Sequence, residues 1–318
     1  MTMALNLPIA RYQFELRAST ALSFPPYAGS TWRGAFGNAL KRAVCVTGQP
    51  HCTGCLLQRR CVYSQVFETP AGAEPLLSKG NAAPHPFILH PLATSGQQYQ
   101  AGDRLRIQLS LIGQAIQQLP YFIHSIQQMG QRGVGTKLGR YEVLKVWQET
   151  SLGADSWACI YETGKAEGLQ ALDTVIPALP NAPEHITLRF KTPFRGVHGG
   201  RLMNDAIFDL AGFLMGLLRR LSLLSAYHAQ TRLELDFKAF STAARQLTAY
   251  ETELRGFAWT RYSSRQQGLI AMDGLLGEFS LAGEAWQSFW PWLWWGQWVH
   301  TGKGTVMGQG EYELQVIA

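Results

Sequence analysis

Alternation of apolar and polar residues predicts a strand near the start of each half of the chain. Arg11 to Arg17 (RYQFELR) and His185 to Lys191 (HITLRFK) both repeat every two residues, as a half-buried strand does. Turn-forming residues follow each strand, namely Pro25, Pro26 and Gly29 in the first half and Pro193, Gly196, Gly199 and Gly200 in the second. Each half therefore opens with a strand and a loop.

A helical pattern follows each of these loops. Thr31 to Val44 (TWRGAFGNALKRAV) spaces its apolar residues with the period of a helix. Asn204 to Tyr227 predicts a longer amphipathic helix, and Asn204 with Asp205 supplies a plausible N-cap for it.

A glycine-rich pattern occurs twice, about half the chain apart. GVGTKLGRYEVLKV starts at Gly133 and GKGTVMGQGEYELQVI starts at Gly302, and both contain G-x-G-T-x-x-G followed by an alternating strand. Each half thus contains a strand, a loop, a helix, further strands, a glycine-rich loop and a final strand. This order predicts an α+β fold of two tandem β-α-β-β-α-β, ferredoxin-like domains.

The same pattern sets the expected domain boundaries. We expect an N-terminal ferredoxin-like domain over residues 1–150, with a small cysteine-rich insertion at about 45–61. A polar connector at 151–182, with Pro177 and Pro180, leads to a C-terminal ferredoxin-like domain at 183–318. The second domain contains the glycine-rich loop 302–310 shortly before the last strand.

Composition and charge narrow the class of protein. Of 318 residues, 46% are hydrophobic and only 16% are charged, which excludes a disordered chain. Lys and Arg number 28 against 22 Asp and Glu, an excess that suits a polyanionic partner. Asp209, Arg219 and Arg220 interrupt the most apolar stretch, and no secretory signal is visible, so we expect a cytoplasmic protein without a membrane partner.

Four cysteines lie close together in CVTGQPHCTGCLLQRRC. Cys45, Cys52, Cys55 and Cys61 have the spacing C-x₆-C-x₂-C-x₅-C, which can close a tetrahedral thiolate site of the zinc-knuckle kind. We expect structural zinc, with an iron–sulfur cluster or ordinary reduced thiols as the alternatives. His51 is an alternative ligand. Four protein ligands leave no open position, so this metal would stabilise the fold and take no part in catalysis.

The last glycine-rich loop has two interpretations. Glycine permits positive φ and leaves no Cβ between the backbone and a ligand, so successive N–H groups can converge on an anion, with Lys303 as an added cation. Alternatively, the glycines only turn the chain. The loop is not a P-loop, because it lacks G-x-x-x-x-G-K-[ST] and a strand follows it.

Six tryptophans crowd the segment before that loop. Trp286, Trp290 and Trp294 recur every four residues and share one helical face, and Pro291 either kinks this helix or begins a second one. We expect these rings to pack in a core, with a platform for RNA bases or a docking face as the alternatives.

Four motifs together resemble a known family. GKGTVMGQGEYEL, WRGAFGNALKRAVC, the cysteine stretch through CVYSQVFE, and RYSSRQQGLIAMDGLLGEF are similar to those of the CRISPR-associated RAMP-superfamily endoribonucleases that process precursor crRNA. The resemblance implies tandem ferredoxin-like, RRM-like domains with an RNA groove between them. It also implies that the glycine-rich loops grip the RNA backbone.

The resemblance further implies a reaction and its partners. The family cleaves CRISPR precursor RNA within its repeats without a catalytic metal: the ribose 2′-OH attacks the adjacent phosphate and leaves 2′,3′-cyclic phosphate and 5′-OH ends. The partners would be repeat RNA, crRNA and other CRISPR effector subunits. The candidate RNA-binding residues are Gly302, Lys303, Gly304, Gly308, Gly310, Arg195, Arg201, Arg261, Arg265, Lys137 and Arg140.

Such a reaction needs a base, an acid and a cation near the phosphate. His300 stands two residues before Gly302, and His198 lies between Arg195 and Arg201, so both histidines are candidates. The family often places its catalytic histidine in or just before the first helix, but residues 23–42 contain none.

Three explanations of that missing histidine remain open. Either the second half supplies the histidine, or Tyr27 and Lys41 do the chemistry, or the chain is a non-catalytic crRNA-binding subunit. A zinc-stapled assembly protein with no RNA role is a further alternative.

Overall fold

The computed structural model describes residues 5–69, 83–92, 98–263 and 268–317. The chain forms two compact units. The N-terminal unit runs to Pro177 and includes Leu223–Thr231, and the C-terminal unit consists of Ala178–Ser222 and Arg232–Ala318.

The N-terminal unit contains one main sheet and its covering helices. In chain order its elements are β1 Ile9–Ala18, β2 Leu22–Ser23, α1 Gly29–Val44, α2 Val62–Phe67, β3 Phe87–Pro91, β4 Gln98–Tyr99, β5 Arg104–Ile112, α3 Leu119–Arg132, β6 Tyr141–Glu149 and β7 Trp157–Glu162. The main sheet is antiparallel with the order β3-β5-β1-β6-β7. The first strand lies between β5 and β6, as the ferredoxin-like fold requires.

Aromatic side chains form the core of this unit. Phe14, Phe36, Phe87 and Phe122 are fully buried, and the rings of Phe36 and Phe122 stack with their centroids 4.8 Å apart. Stacked pairs at this distance add to the stabilisation that burial provides. Helix α1 therefore packs its apolar face against α3, which explains the helical spacing seen in its sequence.

The C-terminal unit repeats this plan. Its elements are β8 His185–Phe194, β9 Val197–His198, β10 Arg201–Leu202, α4 Leu210–His228, α5 Phe237–Gln246, β11 Tyr250–Phe257, β12 Thr260–Ser263, β13 Gly268–Ala271, β14 Gly274–Ala282, α6 Trp290–Val299 and β15 Tyr312–Ile317. The last turns of α4 are counted with the N-terminal unit. The main sheet has the order β11-β14-β8-β15 and is antiparallel.

Both sheets therefore place the first strand of the unit between the third and the fourth strands of the ferredoxin-like module. The prediction of an α+β fold with tandem ferredoxin-like domains is confirmed. Strand β7 extends the first sheet beside β6 and falls within the segment 151–182 that we expected to be a polar connector.

The tryptophans before the last loop belong to the core. Trp286, Trp290 and Trp294 are buried, and the same holds for Trp292 and Trp295. Pro291 lies in the first turn of α6, where its missing N–H costs no helical hydrogen bond. The core interpretation of this stretch is confirmed.

One helix starts later than its sequence predicts. The expected helix from Asn204 begins only at Leu210, because Ile207 donates its N–H to the carbonyl of Asn204 in a turn. The backbone carbonyl of Asp209 accepts the N–H of Phe213, so Asp209 precedes the first turn of the helix in place of Asn204.

Helix α4 is long and apolar enough to cross a membrane by length and composition alone. More than half of its apolar window, 56%, is buried inside the protein. That burial is typical of the central helix of a core.

Candidate functional site

The last glycine-rich loop joins α6 to β15 and has a fixed shape. Gly302, Gly304, Gly308 and Gly310 all have φ between 71° and 85°, the left-handed region that other residues rarely adopt. A Cβ on Gly310 would collide with the carbonyl of Thr301, and one on Gly302 would lie 2.7 Å from the carbonyl oxygen of Arg195. These glycines are required because the backbone passes close to its neighbours.

The backbone amides of this loop already have partners within the C-terminal unit. The N–H of Lys303 donates to the carbonyl of Arg195 at 2.9 Å, and the N–H of Gly310 donates to the carbonyl of Pro193 at 3.1 Å. The N–H of Gly308 donates to Thr305 at 2.9 Å. Our expectation that these amides converge on an anion is therefore wrong for these three residues, since hydrogen bonds to the end of β8 and within the loop use them.

The first glycine-rich loop follows the same construction in the N-terminal unit. Thr136 donates its N–H to the carbonyl of Ser23 at 3.0 Å, and a Cβ on Gly135 would collide with that carbonyl. Lys137 and Arg140 are exposed on this loop. Each loop thus rests on the backbone just beyond the first main-sheet strand of its own unit.

Arginine side chains gather where the last loop meets β8. Arg195 donates from Nε to the carbonyl of Asp273 at 2.9 Å, which fixes its guanidinium. Burial lowers the pKa of Arg195 from its usual value; the negative charge of Asp273 opposes this shift, and the positive charge of Arg261 adds to it. Lys303 is exposed, and its backbone N–H is bonded to the carbonyl of Arg195.

Arg261 carries a donor that needs an acceptor. Its Nε is buried and finds no hydrogen-bond partner in the described part of the chain. A buried, unsatisfied charged donor is costly, and two neighbouring guanidinium groups repel each other. A phosphate placed here would accept from Arg261 and reduce that repulsion.

A short hairpin follows Arg195 in the sequence. Strands β9 and β10 pair His198 with Arg201 across a turn made by Gly199 and Gly200, and Arg201 is exposed. A Cβ on either turn glycine would meet nothing within 4 Å, so the turn projects into open space. The hairpin carries His198 and Arg201, three and six residues after Arg195 in the sequence. Arg265 lies outside the described residues.

His300, the other candidate histidine, is buried with only 2% of its surface exposed. It caps the C-terminal end of α6 at φ 56°, and its Nδ1 lies 3.2 Å from the carbonyl oxygen of Gln309. A carbonyl can only accept, so Nδ1 carries the proton in this hydrogen bond. A carboxylate oxygen of Glu311 lies within 4.8 Å of a ring nitrogen. This burial favours a role in holding the loop over direct attack on RNA.

Tyr27 and Lys41 also have contacts that fit structural roles. Tyr27 is buried immediately before α1. Lys41 donates from Nζ to the carbonyl of Pro50 at 2.8 Å and lies 5.6 Å from the ring centre of Tyr63. Lys41 thus supports the cysteine-containing segment that follows the helix.

The four clustered cysteines line one small pocket between α1 and α2. Cys45, Cys52, Cys55 and Cys61 are all partly exposed and none forms a disulfide. His51 lines the same pocket. The sequence spacing has therefore brought the four thiols to the wall of one pocket, where their sulfur atoms lie farther apart than the ligands of a bound ion would.

Arg220 was not selected from the sequence as a site residue. It lies in α4 and holds the backbone that leads into the last glycine-rich loop. Its Nε donates to the carbonyls of Val299 at 2.9 Å and His300 at 3.1 Å. Desolvation by the surrounding protein lowers the pKa of Arg220 to about 10. An arginine inside an otherwise apolar helix was the signal in the sequence, because such a charge is rarely buried without fixed partners.

Two family models match this chain. The model of the AF_1859 N-terminal domain matches residues 7–174, and the model of the CRISPR-associated endoribonuclease Cas6 matches residues 188–312. An uncharacterized protein of Archaeoglobus fulgidus is 24% identical over 123 residues, which cover 38% of this chain and 40% of that protein. The matched segment thus spans less than half of that relative.

Solved structures share the fold over nearly the whole chain. A Cas6 product complex has a TM-score of 0.56 at 16% identity, covering 96% of this chain and all of that chain. Thermus thermophilus Cas6 has a TM-score of 0.54 at 15% identity, covering 98% of this chain and all of that one. A chain of a Cas6-RT-Cas1–Cas2 complex has a TM-score of 0.56 at 12% identity, covering 99% of this chain and 47% of that one.

The two family models together account for both ferredoxin-like units and for the last glycine-rich loop. The fold of the solved Cas6 structures is the fold described above. More than half of the chain matches the AF_1859 N-terminal domain family, residues 188–312 match the family of the CRISPR-associated endoribonuclease Cas6, and nearly the whole chain has the Cas6 fold.

Proposed function

We propose that this chain cleaves CRISPR precursor RNA within its repeats. In this reaction the 2′-OH attacks the adjacent phosphate, and the products carry 2′,3′-cyclic phosphate and 5′-OH ends. No metal takes part, because protein cations stabilise the developing charge and a histidine moves the proton. Repeat RNA is the substrate, and other CRISPR proteins are further partners.

One observation supports this proposal above the others: the arginine pair beside the last glycine-rich loop. Arg195 is held by backbone carbonyls, and Arg261 keeps a buried Nε without a partner among the described residues. The held guanidinium of Arg195 keeps a positive charge at this place before an anion arrives, and the Nε–H of Arg261 is available to donate to a phosphate oxygen. The exposed hairpin with His198 adjoins this cation pair in sequence.

Within this proposal each residue has a separate task. Arg261 and Lys303 bind phosphate oxygens of the RNA backbone. Arg195 adds positive potential beside Arg261, while two of its own donors bond to the carbonyls of Asp273 and Ala271. His198 moves the proton of the 2′-OH, for which a neutral imidazole is suited near neutral pH.

The first test is cleavage of a cognate repeat RNA in EDTA. We expect cleavage at an undiminished rate and a product with a 2′,3′-cyclic phosphate, because no step requires a divalent cation. The metal content of the protein is measured before and after EDTA, so that loss of a structural ion is not read as a catalytic requirement. Absence of cleavage with RNA still bound would favour the non-catalytic crRNA-binding subunit.

The second test concerns the unpartnered arginine. Arg261→Ala is expected to weaken RNA binding about 10-fold and to reduce the slope of log K against log salt by about 1, since one phosphate contact is lost. Fluorescence anisotropy at several salt concentrations measures both quantities.

Arg219→Ala is the matched control for this variant. Arg219 is exposed on α4 and has the same charge, so its removal lowers the net charge equally. An equal loss of affinity in both variants would mean that the effect comes from overall charge and would contradict a phosphate site at Arg261.

A further inference from the structure

The segment between α1 and α2 has little apolar core of its own. It runs from Cys45, which follows the last residue of α1, to Cys61, which precedes the first residue of α2. Two of its apolar side chains, those of Val46 and Leu56, are 81% and 94% exposed, and Leu57 is partly buried. Hydrophobic burial of these two residues therefore cannot hold the segment, and segments of this kind are commonly stapled by a disulfide or a metal.

The backbone of this segment is nevertheless ordered into tight turns. The N–H of Cys55 donates to the carbonyl of Cys52 at 3.0 Å, which closes a turn over the C-x₂-C pair. Gly54 has φ 79° within that turn, a conformation that favours glycine. The N–H of Cys61 donates to the carbonyl of Leu57 at 2.8 Å, which sets the entry into α2.

These turns bring all four thiols to one cavity. The cavity measures about 20 Å³ and is lined by each of the four cysteines. The hydroxyl oxygen of Thr47 lies 3.8 Å from Sγ of Cys45 and 3.6 Å from Sγ of Cys55, so it connects two of the sulfurs. All four thiols thus face one small cavity, in which they could close around a single ion.

We propose that these four cysteines bind one zinc ion as a closed tetrahedral thiolate site. Four sulfur ligands are a common structural zinc set, and the flanking helices α1 and α2 would be joined through the ion. The hydroxyl of Thr47 contacts two of these sulfurs, and hydrogen bonds of this kind commonly orient the ligands of a metal. This inference does not depend on the proposed RNA cleavage.

Several cations and one carboxylate, that of Glu68 beside Cys52, surround this site. A zinc ion with four thiolates carries a net charge of about −2, and it is stabilised by nearby cations. Lys41 is fixed at the segment by its bond to the carbonyl of Pro50, and Arg42, Arg59 and Arg60 are exposed on the same stretch.

The test measures the metal content of the full-length protein, purified without chelator from cells supplied with zinc. Mass spectrometry of the elements is expected to give one zinc per chain. The double variant Cys52→Ser/Cys55→Ser is expected to lose at least nine tenths of this zinc, because hydroxyls do not replace thiolates. Cys159→Ser removes an exposed cysteine on β7, outside the cluster, and is expected to keep all of it.

A second measurement uses the wild-type protein and does not require the double variant to fold. Titration of the wild-type protein with a mercurial reagent is expected to release zinc in proportion to the modified thiols. Cobalt loaded in place of zinc is expected to show the intense visible bands and thiolate charge-transfer bands of a tetrahedral sulfur site.

Four results would overturn the site as stated. They are wild-type protein with no stoichiometric zinc, zinc that persists in a folded double variant, iron with acid-labile sulfide, and loss of zinc in His51→Ala. The last result would replace one cysteine by His51, since that residue lines the same cavity.

Discussion

Replacing His198 with alanine is expected to slow cleavage of bound repeat RNA by about 100- to 10,000-fold, the usual contribution of a positioned acid or base. His198 lies on an accessible hairpin, between Arg195 and Arg201 in sequence. RNA affinity should change by less than about threefold, because the arginines and Lys303 remain. Single-turnover kinetics at saturating protein separate the two effects.

His185→Ala is the matched control. His185 begins β8, at the other end of that strand, and 41% of its side chain is exposed. Its rate should stay within about twofold of wild type. If His198→Ala cleaves normally while His300→Ala remains folded and inactive, the assignment is wrong and the proton is moved by His300.

Replacing Gly310 with alanine is expected to lower the free energy of unfolding of the C-terminal unit by about 4 kcal/mol. Two causes add. A left-handed residue with a Cβ costs about 1–2 kcal/mol. The remainder comes from the collision of that Cβ with the carbonyl of Thr301, which is backbone and cannot move aside. Urea unfolding followed by tryptophan fluorescence measures the loss, because α6 lies directly before the loop.

Gly283→Ala separates the two causes. Gly283 has φ 78°, close to the 71° of Gly310, but its Cβ would meet nothing within 4 Å. This variant should lose only the 1–2 kcal/mol of the backbone strain. Equal losses in the two variants would mean that the close approach to Thr301 contributes nothing.

The fold could be predicted from the sequence because local patterns and the overall fold agree. The alternation in RYQFELR and HITLRFK corresponds to β1 and β8, each next to the third and fourth strands in its sheet. The repeated glycine pattern marked the same connection in both units. The start of α4 was misplaced because Asn204 and Asp205 can close a turn as readily as they cap a helix.

The site was less predictable because it depends on burial and on long-range contacts. His300 is close to the glycine loop in sequence, yet it lies inside the protein, which its neighbours along the chain do not reveal. The arginines at 195 and 261 were selected from the sequence. Their mutual approach was not, since strands β8 and β12 are far apart along the chain. Arg220 was missed because its partners are backbone carbonyls, which no residue type identifies.

The internal hydrogen bonds of the last glycine-rich loop have a consequence for the energetics of recognition. Because Lys303, Gly308 and Gly310 satisfy their amides within the protein, this segment does not have to fold when a polynucleotide arrives. On association, only the nucleic acid and long side chains then lose conformational entropy. The total loss is therefore smaller than it would be if the loop also had to become ordered. A preformed surface of this kind discriminates between ligands by charge and shape, and it leaves little room for induced fit.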